Sequence, residues 1–178
     1  MTFALPDGLA PEIYPLAWLV GSWRGTGVLD YPGIPAADFV HEASFDHDGG
    51  PYLRYRSTMT LADAEGQEPQ VWASETGYWR VPPVAPEGVV LREGQFPVEV
   101  LLTDGAGILS LYLGAVGNGR IDLATDMVAR VPSAAEFTGS TRMYGLVAGE
   151  LLWAWDAAAF GHDLQSYASA KLTRVDLG

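Results

Sequence analysis

The chain has 178 residues, 48% of them hydrophobic, which is enough apolar material for one core and favours a single domain over 1–178. Its formal charge is −12 with Lys171 as the sole lysine, so it lacks the basic footprint that nucleic acid or an anionic membrane surface demands. There is no cysteine, which excludes disulfides, thiolate metal sites and cysteine nucleophiles.

Residues 1–11 read as a loose lead-in containing Pro6, Gly8 and Pro11. They carry no basic n-region, and the chain has no apolar run of the roughly 20 residues a membrane span needs, so a cytoplasmic location is the expectation. Over 12–20, Ile13, Leu16 or Ala17, and Val20 fall at helical spacing and predict a short helix that caps one barrel mouth. Gly21-Ser22-Trp23-Arg24-Gly25-Thr26-Gly27 follows. Period two puts Gly21, Trp23, Gly25 and Gly27 on one face of a strand, where an indole flanked by missing side chains can plug the end of a small barrel. The spacing fits neither a dinucleotide loop nor a P-loop.

Further strands are read over 39–45, 52–61, 70–81, 89–91, 98–103, 108–113, 121–131, 137–146, 150–157 and 165–175. Turn signals separate them, among them His47-Asp48-Gly49-Gly50-Pro51, Ala64-Glu65-Gly66 and Val147-Ala148-Gly149. About ten short strands without long helical patterns predict an all-β fold, a ten-stranded antiparallel up-and-down barrel spanning about 16–176 with a short N-terminal helix. Such a barrel is wide enough to keep a cavity, and function is expected inside it.

Candidate polar residues are few. Arg54 and Arg56 share a strand face that is either solvent-exposed or turned inward to meet a carboxylate. Trp153 and Trp155 share a face with Leu151 and Ala157, as cavity wall or as filler. His41, His47 and His162 are scattered without a metal-ligand spacing, so no metal site is expected. His41 reads as structural or exposed. The carboxylate pairs Asp46/Asp48 and Asp63/Glu65 fall on turns and read as solvated, and no G-x-S-x-G elbow occurs.

Several segments together resemble a known family. They are Gly21 to Gly27, Phe45 to Pro51, Glu75 to Arg80, Ala134 to Thr138 with Arg142 to Val147, and Leu164 to Val175. In order and spacing they are similar to the nitrobindin family of fatty-acid-binding-protein-like, calycin-type barrels. The resemblance implies haem b in the barrel mouth, ligated through ferric iron by a histidine on the closing strand. It also implies reaction with nitric oxide, isomerisation of peroxynitrite to nitrate, and frequent pairing as homodimers. In this chain the matching position is Tyr167. A tyrosine binds iron only as phenolate, against a pKa of about 10 in water. Arg54, Arg56 or His162 are the groups that could stabilise that anion. His47 matches the histidine that the family places over the open haem face, and Gly33 stands where the family has a threonine.

The expectation is therefore a barrel without haem-iron ligation or catalytic residues, binding a small hydrophobic or amphipathic ligand through Tyr167, His47, Trp155 and Arg56. The alternatives are a ferric haem b protein ligated by Tyr167, and a filled barrel acting through a surface or dimer interface. First and last strands of such barrels meet, which predicts Arg174 across the indole of Trp23.

Overall fold

The computed structural model describes residues 4–62 and 68–175. Ten strands form a closed antiparallel barrel: β1 (Gly21–Tyr31), β2 (Ile34–Asp46), β3 (Leu53–Leu61), β4 (Gln70–Arg80), β5 (Phe96–Asp104), β6 (Ile108–Gly117), β7 (Arg120–Arg130), β8 (Phe137–Val147), β9 (Glu150–Ala159) and β10 (Gln165–Val175). Each strand pairs with the next, and β1 closes onto β10. No strand forms over 89–91, which belongs to the long connection between β4 and β5, where Val90 is 86% exposed. The turn expected at Ala64-Glu65-Gly66 and the pair Asp63/Glu65 lie outside the described residues. Asp46 and Asp48 do lie at a surface hairpin, both ion-paired to Arg54.

The N-terminal helix runs over Pro11–Leu19 as a 3₁₀ helix. Ile13, Leu16 and Leu19 are buried, a spacing of three that matches three residues per turn rather than 3.6. Pro15 inside the segment has no N–H to offer, which removes one α-helical bond. Val20, expected on the buried face, is the half-buried residue that ends the helix. The buried face joins the core beneath Trp23, Leu53 and Trp79. One barrel end is thus capped, and the other, where β1 ends and β10 begins, is the mouth.

The glycine-rich start of β1 makes the closure possible. A Cβ at Gly25 would overlap the carbonyl oxygen of Lys171 on β10, and one at Gly27 would overlap the ring of Phe39. Trp23 is fully buried, donates from its indole N–H to Leu19 O at 2.7 Å, and faces Arg174 across the β1–β10 pairing. The guanidinium carbon lies 4.2 Å from the indole centroid, as expected from sequence. Arg174 also donates to the carbonyls of Trp18 and Val20, so one side chain ties the helix, β1 and β10 together. The stacking component contributes about 0.5–1 kcal/mol.

Gly25→Ala is expected to destabilise the barrel by about 2 kcal/mol or more, because backbone must move to admit the methyl group. Gly145→Ala, where a Cβ meets nothing within 4 Å, should change stability little. Urea denaturation of both variants beside the wild type checks the contrast.

Candidate functional site

Strand alternation sends Glu75, Gly77 and Trp79 inward from β4, and Ser140, Arg142 and Tyr144 inward from β8. Glu75 and Arg142 meet across the interior as a bidentate pair at 2.9 and 2.5 Å, both nearly inaccessible to solvent. Burial by itself would raise the Glu75 pKa, but the charge and hydrogen bonds of Arg142 outweigh it and hold the carboxyl below its usual range. Arg142 also donates to Tyr112 Oη at 3.1 Å, and that hydroxyl shares a 2.5 Å bond with Ser140 Oγ. The guanidinium lies over the ring of Trp155, 4.3 Å from its centroid.

His41 belongs to the same layer and is 4% exposed. Trp153 donates to its Nδ1 at 2.9 Å, so the proton sits on Nε2, which lies 2.6 Å from Ser57 Oγ. Burial pushes the imidazole pKa down to about 4. Sequence alone left His41 structural or exposed, and the inward parity of β2 makes it structural.

Below this polar layer the barrel is filled by Phe45, Tyr55, Trp79, Val98, Val100 and Tyr144. Above it the mouth keeps a pocket of about 420 Å³, lined among others by Val71, Trp72, Asp104, Phe137, Trp155 and Tyr167. That volume lies within the usual range for small-ligand sites. A larger concavity of about 1030 Å³ runs along β1, β2 and β8–β10 and includes the exposed residues Val28, Met143, Val147 and Leu152, so it is mainly a surface groove.

Two β-bulges build the mouth. In β10, Ser166 pairs with Asp156 and Ala168 with Trp155, leaving Tyr167 as the extra residue. In β4, Val71 pairs with Thr60 and Ala73 with Met59, leaving Trp72 extra. Each bulge breaks strict alternation and lets its aromatic turn toward the pocket. The two then meet: Trp72 Nε1 donates to Tyr167 Oη at 2.6 Å. Burial raises the Tyr167 pKa above its ordinary value, with the Trp72 bond pulling the other way. Its ring packs against Trp155 at 4.7 Å and Tyr31 at 5.4 Å between centroids. Tyr31 itself is locked by donating to Ala157 O and accepting from Ala159 N. The indole N–H of Trp155 is buried without a hydrogen-bond partner.

Of the residues expected to line one cavity, Tyr167 and Trp155 come together, and His47 and Arg56 do not. Ala168, beside Tyr167, pairs through Leu29 with Ala37 near the start of β2. His47 follows the last residue of β2, roughly 30 Å further along the strand direction, at the capped end. Arg54 and Arg56 alternate with the inward Tyr55 and Ser57 and stand on the outer surface. His162 reaches the mouth rim, edge-on to Tyr31 at 5.8 Å. None of Arg54, Arg56 and His162 hydrogen-bonds to Tyr167; the partner there is Trp72. Glu75 and Arg142 stood inside recognised segments, and inward parity with Trp79 and Tyr144 was the signal for them. Trp72 carried no such signal, because a bulge is invisible to period two.

The model of the THAP4-like, heme-binding beta-barrel domain matches residues 12–174. The chain belongs to this family. A THAP4-like relative from Beutenbergia cavernae, named a ferric nitrobindin-like protein, is 49% identical over 98% of this chain and 100% of its own length. One from Clavibacter michiganensis subsp. michiganensis, named a peroxynitrite isomerase, is 42% identical over 97% of this chain and 98% of its own. The crystal structure of Rv2717c from M. tuberculosis superposes with a TM-score of 0.77 at 32% identity, covering 94% of this chain and 99% of that one. Among the described residues of this THAP4-like barrel, no helix is long and apolar enough to cross a membrane.

The buried imidazole gives the fold a pH dependence. An unfolded chain binds a proton at His41 near pH 6.5, the folded chain near pH 4, so protons favour unfolding in that window. Stability is expected to fall by about 2 kcal/mol between pH 7.5 and pH 5, before most carboxylates titrate. Denaturant titrations at the two pH values check this, with His41→Gln losing the slope.

Proposed function

We propose that the mouth pocket holds a small amphipathic ligand and that Tyr167 does not ligate haem iron. The burial of Tyr167 with only a neutral indole as its hydrogen-bond partner carries this reading. A ferric ligand must be a phenolate with a free lone pair aimed at the metal. Here burial favours the neutral phenol, and the hydrogen bond that opposes it comes from the neutral indole of Trp72 rather than from an arginine or histidine. The residues present do not fit axial ligation of a haem iron.

The same site supports ligand binding. Its walls are mainly aromatic and aliphatic, with few convergent polar groups. The half-buried carboxylate of Asp104 in the lining favours a ligand with a polar atom over a pure hydrocarbon. The polar layer of Arg142, Glu75 and His41 forms a satisfied floor that keeps the ligand from the sealed half below.

The second reading is a ferric haem b protein acting on peroxynitrite. It draws on the family's description and on relatives named peroxynitrite isomerase. A ferric haem titration followed by its Soret band, run on wild type and Tyr167→Phe, separates the two. The expected result is weak uptake that Tyr167→Phe leaves unchanged. Saturable one-to-one uptake with a tyrosinate-type spectrum that the variant loses would establish the second reading instead.

A further inference from the structure

Charge is distributed unevenly along the barrel axis. Of the ten lysines and arginines, eight stand in the capped half and Arg142 lies in the core. Only Arg130 borders the mouth, and its guanidinium donates to Ala135 O. Asp30, Glu68, Asp104, Glu136 and Asp163 all lie at mouth-side strand ends or loops, where His162 is the other group able to become cationic. Most of the net charge of the described residues therefore gathers around the pocket opening. Charge of one sign around a low-dielectric cleft focuses the field into it and concentrates the opposite ion.

Two acidic groups line the pocket, Glu136, which is exposed, and Asp104, which is half-buried. Val98, Val100 and Leu102 point inward from β5, and Asp104 continues that face into the pocket lining. Its Oδ1 accepts the backbone N–H groups of Ala106 at 2.9 Å and Ile108 at 3.0 Å, which fixes the carboxylate in place. No ion pair among the described residues includes Asp104. Burial, opposed by the Ile108 amide, raises its pKa, the mark of a carboxylate that has given up water without gaining a cation. The same pocket is lined by Trp72, Trp155 and Tyr167. Aromatic walls and a fixed carboxylate are the combination that binds ammonium groups.

We propose that the mouth pocket selects an organic cation, an amine or quaternary ammonium group on a short apolar body, with Asp104 as the counter-charge and Trp72, Trp155 and Tyr167 as the walls. The proposal rests on the mouth being the ligand site. The Arg142 guanidinium behind Trp155 does not oppose it, because Glu75 already answers that charge.

The test compares three monomeric probes of one chain length by tryptophan fluorescence and calorimetry: octyltrimethylammonium, octanol and octanoate. Asp104→Asn keeps the oxygen that accepts the Ala106 and Ile108 amides, so the turn survives. Glu93→Gln, at the capped end, is the control. The expected result is about tenfold tighter binding of the cation than of octanoate at low salt, falling roughly fivefold in Asp104→Asn and unchanged in Glu93→Gln. Octanol or octanoate binding as tightly as the cation would overturn the cation proposal and leave the site standing. A cation preference untouched by Asp104→Asn would also overturn it, because rim charge alone would then suffice. Failure of all three probes to bind would overturn both the cation and the site.

Discussion

The bidentate pair of Arg142 and Glu75 sets what the inside of this barrel can be. Two charges deep in a sheet cost several kcal/mol each in lost hydration, and only close pairing with further hydrogen bonds recovers it. Tyr112, Ser140 and the face of Trp155 supply the additional contacts on the arginine side. Removing one partner would strand the other, so the pair fixes β4 against β8 and sets the level at which packing changes character. Below it the interior is closed by aromatics and the 3₁₀ helix. Above it, a side chain reaching down meets a satisfied polar layer rather than a gap to fill. The mouth pocket exists because the core stops there.

The closed fold and the aromatic mouth follow from different physics. Fold comes from Gly25 and Gly27, which admit β10 and Phe39, and from Trp23 held between Leu19 O and Arg174. These belong to the capped half, far from the mouth. The mouth is free to vary, since its bulged residues contribute little to closure. The tyrosine at position 167 brings a hydroxyl that accepts from Trp72 and a ring that packs on Trp155, so the wall of the mouth is aromatic and hydrogen-bonded.

Sequence period and turn chemistry made the strands legible through local alternation, and the closure expected of such barrels made the Trp23–Arg174 contact legible. The strand read at 89–91 failed because three β-favouring residues, Val89, Val90 and Leu91, between Gly88 and Gly94 have no neighbour to pair with. At the mouth, the pairing of Tyr167 with Trp155 was legible as proximity, and the structure has their rings in contact. His47 stands at the capped end, because motif matching along a chain says nothing about which barrel end a hairpin occupies. Arg56 was settled only by the parity of β3, whose inward residues are Tyr55 and Ser57. Trp72 and Asp104 escaped because a bulge and the inward end of a hairpin strand leave no pattern in one sequence.

The central claim is that ligand enters the mouth above the ion pair and nowhere below it. The most direct measurement is the tryptophan indole region of an amide correlation spectrum, with six tryptophans to resolve, titrated with octanol and with octyltrimethylammonium. Entry at the mouth predicts saturable shifts of the Trp72 and Trp155 indole signals for at least one probe, with Trp23 and Trp79 in the sealed half unmoved. Shifts centred on Trp23 or Trp79, or none at Trp72 and Trp155 with either probe, would contradict it.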